Sequence, residues 1–366
     1  MKLTSFKLSS PVYAFRLDGS SIFLPFPKDV SGDFTYEIED ETGRIITGKF
    51  SAAESIPLPR LGVGYYHFKI FNTEKYAECL LIISPLQIYK KTDLEEIKYH
   101  QPITGFRELR HKLSDDNLLS LHYMVPFPQE DDLLIFYRLL QKKHPSLEYI
   151  DIADKNKALY LALKASGHLN NDFNSWANQC YDYNKINSFK NKEFADKQAD
   201  LVSLGKLALN EVDVCMRDIT NYCHRHNCIT CAHIDFPLAV DYQRYQAWRD
   251  RRILLTKKLT DERFSNYVPY NPEMLAEAYY EPFISLIRHA MTYADILFFD
   301  NPTALHSVLC QDSPFPDKQI HYDLSAILSI IAIESHRSKC MVAAKSQELT
   351  SELRQQLADY NIIITV

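Results

Sequence analysis

Glycine is scarce in this sequence, 9 of 366 residues with none after Gly205, where about 7 % is usual. Backbone that turns through positive φ or closes on a ligand favours glycine, so a glycine-lined binding loop is not expected in the second half. No Walker, Rossmann or Ser-His-Asp signature is present. There is no excess of positive charge either: 41 Lys and Arg stand against 47 Asp and Glu, net −6. That argues against a nucleic-acid partner, which needs clustered cations to neutralise phosphates. No apolar run approaches the ~20 residues of a membrane-spanning helix. Met1 to Lys7 has no apolar stretch of the signal-peptide kind, so a cytoplasmic location is expected, with the eight dispersed cysteines as reduced thiols.

What is present is globular: 46 % hydrophobic and 24 % charged residues, including 23 tyrosines. The length suggests two domains at about 150 residues each. Residues 1–87 read as β. Val12 to Leu17 and Ser21 to Leu24 flank the turn signal Asp18-Gly19-Ser20, and Phe34 to Glu39 alternates apolar with polar. Asp40-Glu41-Thr42-Gly43 then leads into Arg44 to Phe50 as a hairpin. Tyr65 to Phe71 and Tyr76 to Ile83 add two more strands. This is the pattern of a small β-sandwich domain. From about residue 105 the period changes. Helical spacing covers 133–140, 155–163, 193–227 and 272–293. Short apolar runs at 117–123, 228–239, 296–299 and 340–343 alternate with it, which predicts βα units around a parallel sheet.

The second half resembles a known family. Asn271-Pro272-Glu273-Met274-Leu275, continuing through Tyr280-Glu281-Pro282-Phe283-Ile284-Ser285-Leu286-Ile287-Arg288, is similar to a P-x-x-L…Y-x-P-F-I-x-L-L-R motif. It runs without a gap into Phe298-Phe299-Asp300-Asn301, against R-I-D-H. Ala332-Ile333-Glu334-Ser335-His336-Arg337-Ser338-Lys339-Cys340 resembles L-A-L-E-S-x-R-x-R-C. Asp235-Phe236-Pro237-Leu238-Ala239-Val240 resembles D-L-P-I-x-V, with Trp248 at that motif's tryptophan. Weaker matches are Ile56 to Pro59 with Gly64-Tyr65-Tyr66, and Ile103 to Leu109. These motifs belong to the bacterial 4-α-glucanotransferases (amylomaltase or disproportionating enzyme, glycoside hydrolase family 77). The resemblance implies a multidomain α and β protein: an N-terminal β-sandwich over 1–87 and an incomplete (β/α)8 TIM-type barrel over 88–366.

The family's retaining transfer of α-1,4-glucan needs a carboxylate nucleophile and an acid/base carboxyl about 5–5.5 Å away. The resemblance places Asp300 at the nucleophile, at the C-terminal end of a strand, where barrels carry catalytic groups. Asp235, Trp248 and Asn301 fall at substrate-binding positions. The neighbours depart from the pattern. Phe298 replaces the family arginine, and a phenyl ring cannot hold a carboxylate. Ala344, with Lys345 beside it, occupies the acid/base glutamate's position. Glu348 lies four residues on. The family's third carboxylate falls beyond Val366. Gln243, Arg244, Tyr245 and Gln246 replace acidic and small residues of a substrate loop, and Asp295 and Ala304 replace family glycines. Losing an acid costs about 10²–10⁴-fold in rate.

The expectation is therefore a catalytically silent or strongly impaired homologue without cofactor. It would bind an α-1,4-glucan or maltooligosaccharide, or act through a protein surface. Its open barrel edge would be covered by a partner chain or by a homodimer, or the chain would be part of a split gene. The alternatives are a working transferase with Asp300 as nucleophile, and an interaction protein without a sugar role. The cysteine and histidine stretch Cys223 to His233 has metal-like C-x-x-C spacing. Cys228 and Cys231 would face opposite sides of a strand, so no metal site is expected. His111, His122 and His144 read as structural, Trp176 and Trp248 as aromatic core or sugar platforms, and Arg249 to Arg252 as a solvated helix face or cap.

Overall fold

The computed structural model describes residues 4–91 except 53 and 54, and the backbone of 118–122. It also describes 217–365 except 218–219, 222–223, 226–228, 242–249, 251, 256–257, 266, 311–318 and 348. The expected helices at 133–140 and 155–163, and most of 193–227, lie outside these residues.

Eight strands fill the N-terminal region: β1 (Thr4–Ser5), β2 (Val12–Arg16), β3 (Phe23–Pro25), β4 (Asp33–Asp40), β5 (Ile45–Ser51), β6 (Ser55–Pro57), β7 (Gly64–Phe71) and β8 (Lys75–Ser84). Six form one sheet, in the order β1-β8-β7-β4-β5 with β2 also on β8, and β3 and β6 make a separate ribbon. The β4–β5 hairpin forms where the sequence signals it. Asp40 Oδ1 accepts from the Thr42 and Arg44 amides at 2.9 and 3.0 Å, and Gly43 takes φ +83°. The Asp18-Gly19-Ser20 turn makes no hairpin. β3 is only three residues long and pairs with β6, while β2 gains a five-residue parallel ladder on β8. Leu24, Phe34, Ile38, Ile56, Phe68, Cys79, Leu81 and Ile83 share one core.

The C-terminal region begins with β9 (Leu118–His122), β10 (Ile229–Ile234), β11 (Ala239–Asp241) and β12 (Tyr267–Pro269). Helices α1 (Pro272–Glu277) and α2 (Glu281–Thr292) lead to β13 (Ile296–Phe299). The hairpin β14 (Ser307–Leu309) and β15 (Gln319–His321) precedes α3 (Leu324–Ser338). Then come β16 (Met341–Lys345), α4 (Ser351–Asp359) and β17 (Ile363–Thr365). β9, β10, β13, β16 and β17 form a five-stranded parallel sheet in chain order, the succession that βα units produce.

The single helix expected over 272–293 is two. Pro282 lacks an amide hydrogen and restricts the residue before it. The chain therefore stops at Glu277, passes Tyr279 and Tyr280 in the left-handed region (φ 57° and 55°), and restarts with Pro282 in the first turn of α2.

Eleven of the fifteen residues of α3 are buried, because the helix lies between two sheets. On one side it meets Leu80, Ile82, Val12 and Tyr65 of the N-terminal sheet. On the other it meets Leu297, Phe299, Val342 and Ala344 of the parallel sheet, all within one core. β8 is thus buried on both faces, which explains its unbroken apolar run Cys79 to Ile83.

Candidate functional site

Alternation in the parallel sheet separates two faces. Ala232, Ile234, Leu297, Phe299, Val342 and Ala344 pack with the helices. Cys231, Ile296, Phe298, Met341 and Ala343 form a cluster on the other face. Asp300 follows β13, and its amide donates to the Ile234 carbonyl at 3.1 Å, extending the β10–β13 ladder by one step.

The Asp300 carboxylate receives His233. Nδ1 of the imidazole lies 3.0 Å from Oδ2 and 3.2 Å from Oδ1. His233 is 1 % exposed and Asp300 is 12 % exposed, so the pair is shut in with the carboxylate outermost. The Phe298 ring lies against the imidazole, with centroids 4.9 Å apart and a 32° tilt. Cys231 Sγ sits 3.6 Å from Nε2.

The register sets the other neighbours. Ile234 pairs with Phe299, and Phe299 with Ala344. Continuing this register by one residue puts Asp235, Asp300 and Lys345 at one level, and Lys345 pairs with Thr365. Ala344, where the motif resemblance sets the acid/base, is fully buried among the helix-packing residues. Lys345, not Ala344, shares the strand level of Asp300. Asn301 Oδ1 accepts from Thr303 Oγ1 at 2.5 Å and opens the short 3₁₀ turn Pro302–Leu305. Trp248, Trp176, His111, His144 and Glu348 lie outside the described residues, as does His122 apart from its backbone.

The cysteine and histidine stretch is divided between the two ends of the sheet. Before β10, His224 Nε2 donates to Asp295 Oδ2 at 3.0 Å, and the Thr230 amide donates to the same oxygen at 2.9 Å. His233 lies at the far end of β10 with Asp300. Cys223 and Cys228 are outside the described residues. Among the described residues no group of three His, Cys, Asp or Glu side chains is arranged to hold a metal ion.

A second polar cluster joins the N-terminal sheet to the C-terminal end of α3. Glu334, 1 % exposed, accepts from Arg288 Nε at 3.0 Å and Nη2 at 2.9 Å, from Arg337 Nη1 at 3.3 Å, and from the Tyr65 hydroxyl at 2.9 Å. Arg337 also contacts Glu41. The hydrogen bond to Glu334 raises the Arg288 pKa, and burial followed by the Glu334 charge raises that of Tyr65. α3 runs back against the strands, so this cluster sits away from Asp300, at the end where barrels place stability rather than chemistry.

A family model described as 4-alpha-glucanotransferase matches residues 153–364. The chain belongs to the 4-alpha-glucanotransferase family. Curated 4-alpha-glucanotransferases of Mycobacterium bovis and Mycobacterium tuberculosis are 24 % identical to it over 165 residues. That stretch is 42 % of this chain and 23 % of theirs, so the match spans about a quarter of the relatives' length. The amylomaltase of Corynebacterium glutamicum has a similar fold, with a TM-score of 0.65 and 15 % identity over 97 % of this chain and 65 % of that one.

Within the parallel sheet, Asp300 and Asp235 are brought to adjacent strand ends. Sequence reasoning placed His233 in the cysteine and histidine stretch and missed its bond to Asp300. The signal was weak: a polar residue on an otherwise apolar strand, one strand away from the aspartate it meets.

Proposed function

We propose that this chain is a divergent 4-alpha-glucanotransferase-family protein that binds α-1,4-glucan at the Asp300 end of its parallel sheet and has lost most or all transfer activity. In this reading residues 1–87 are a β-sandwich domain, residues 88–366 belong to a (β/α) barrel domain, and the protein works in the cytoplasm. Asp300 descends from the nucleophile, with Asp235, Asn301 and Trp248 as sugar contacts. No cofactor takes part, and a second chain or a second copy meets the edge of the sheet.

The supporting observation is the surroundings of Asp300. A retaining mechanism needs a second carboxyl across a sugar-sized gap and groups that steady the developing cation. Here Phe298 fills the arginine position, Lys345 stands at the level of Asp300, and Ala344 faces the helices. The positions for the acid/base and the steadying cation thus present a buried methyl group and a phenyl ring, neither of which carries charge or moves a proton.

Asp235 favours a second reading, a working transferase, because it ends the strand beside that of Asp300. Incubation with maltotriose separates the two. Unchanged maltotriose, together with a melting-temperature rise on adding maltoheptaose, supports the binding protein. Redistribution into longer and shorter glucans that Asp300→Asn and Asp235→Asn both abolish supports the transferase. Neither binding nor turnover would overturn both and leave an interaction protein.

A further inference from the structure

The residues around Asp300 hold one arrangement that the glucan reading does not use. Cys231, His233 and Asp300 lie in line on one face of the sheet, sulfur to Nε2 at 3.6 Å and Nδ1 to the carboxylate at 3.0 and 3.2 Å. A carboxylate only accepts hydrogen bonds, and a thiol is a weak donor. The nitrogen that faces the carboxylate must therefore carry the proton, and Nε2 is left to meet the thiol. The Phe298 ring, 4.9 Å from the imidazole centroid, fixes the plane in which Nδ1–H points.

We infer that His233 is the positioning residue of Asp300. Its Nδ1–H directs the carboxylate at the strand end, and Cys231 and Phe298 hold the imidazole in the tautomer and plane that allow this. A ring reached from the next strand thus takes over the orienting task at a site where residue 298 is a phenylalanine. The row also resembles a thiol nucleophile with its base and orienting acid, but access runs the wrong way for that chemistry. Cys231 is 3 % exposed beneath the imidazole, while the carboxylate is the outermost member. A ligand meets Asp300 first.

The inference rests on the glucan reading for its consequence but not for its geometry, so two measurements separate them. In the full chain with ¹⁵N-labelled histidine, the His233 signals are assigned by their loss in His233→Asn. Nδ1 is expected to carry a slowly exchanging proton, and Asp300→Ala should speed that exchange by about tenfold or more, as loss of a charge-assisted bond requires. A bare Nδ1, or unchanged exchange in Asp300→Ala, would overturn the inference whether or not glucan binds.

The second measurement is maltoheptaose affinity. His233→Leu should weaken it by about tenfold. His233→Asn, whose amide nitrogen overlies Nδ1, should restore it to within about threefold. Native affinity in a folded His233→Leu, or no rescue by a folded His233→Asn, would overturn the positioning role. Absence of binding by the native chain would sink the glucan reading and leave the histidine spectrum to decide the geometry.

Discussion

Phe298 and Asp300 sit two residues apart on one strand and share a face. That spacing makes an apolar ring, not a hydrogen-bond donor, the side chain nearest the carboxylate along its own strand. Glu334 shows the opposite case, a buried carboxylate held by two arginines and a tyrosine. Glu334→Ala leaves those donors facing an empty site and should cost about 3 kcal/mol, read from urea unfolding. Tyr322 donates to the Tyr270 carbonyl at 2.8 Å, and burial raises its pKa well above the ordinary 10.0. The unfolded chain then loses that proton before the folded one does. Stability is full below pH about 10 and falls as pH rises above it. Tyr322→Phe should flatten that alkaline loss while costing about 1 kcal/mol at pH 7, measured as urea midpoints across pH.

Elements differ in how far the sequence discloses them. β13 is legible to the residue, because four apolar positions end at Asp300 and helical spacing precedes them. The hairpin β4–β5 is legible because its turn chemistry is local. The break between α1 and α2 was missed because apolar spacing continues across it, although Pro282 carried the signal. His233 was misread for a different reason. Its partner is set by strand register, and neither spacing nor composition encodes which residue of β13 lies beside which residue of β10. The same holds for Ala344 and Lys345: an ungapped alignment numbers the strand, but the pleat decides which residue shares a face with Asp300. α3 was not marked by helical spacing, because a helix buried nearly all round carries no polar stripe to set the period. Ile331, fully buried within it, should cost about 2–5 kcal/mol when replaced by alanine, seen as a lowered urea midpoint.

Across the whole molecule, packing continues past residue 87. Ile88, Val12, Leu80 and Ile82 share a core with α3. Backbone and side-chain bonds add to it, from His336 to the Gln87 carbonyl at 2.9 Å and from the Tyr89 amide to Ser335 at 2.9 Å. The N-terminal sheet is thereby fixed to the helix that precedes β16, and through it to the strand ends around Asp300. These two sheets should lose structure in one transition, with near- and far-ultraviolet circular dichroism coincident. Separate transitions would mean that the shared core adds little.

The most direct measurement is chromatography of maltotriose after prolonged incubation with the native chain, beside the same incubation with Asp300→Asn. Identical, unchanged maltotriose in both is expected from a carboxylate held by His233 with a lysine at its level. New glucans in the native sample alone would contradict it, and would mean that a second acid serves Asp300 after all.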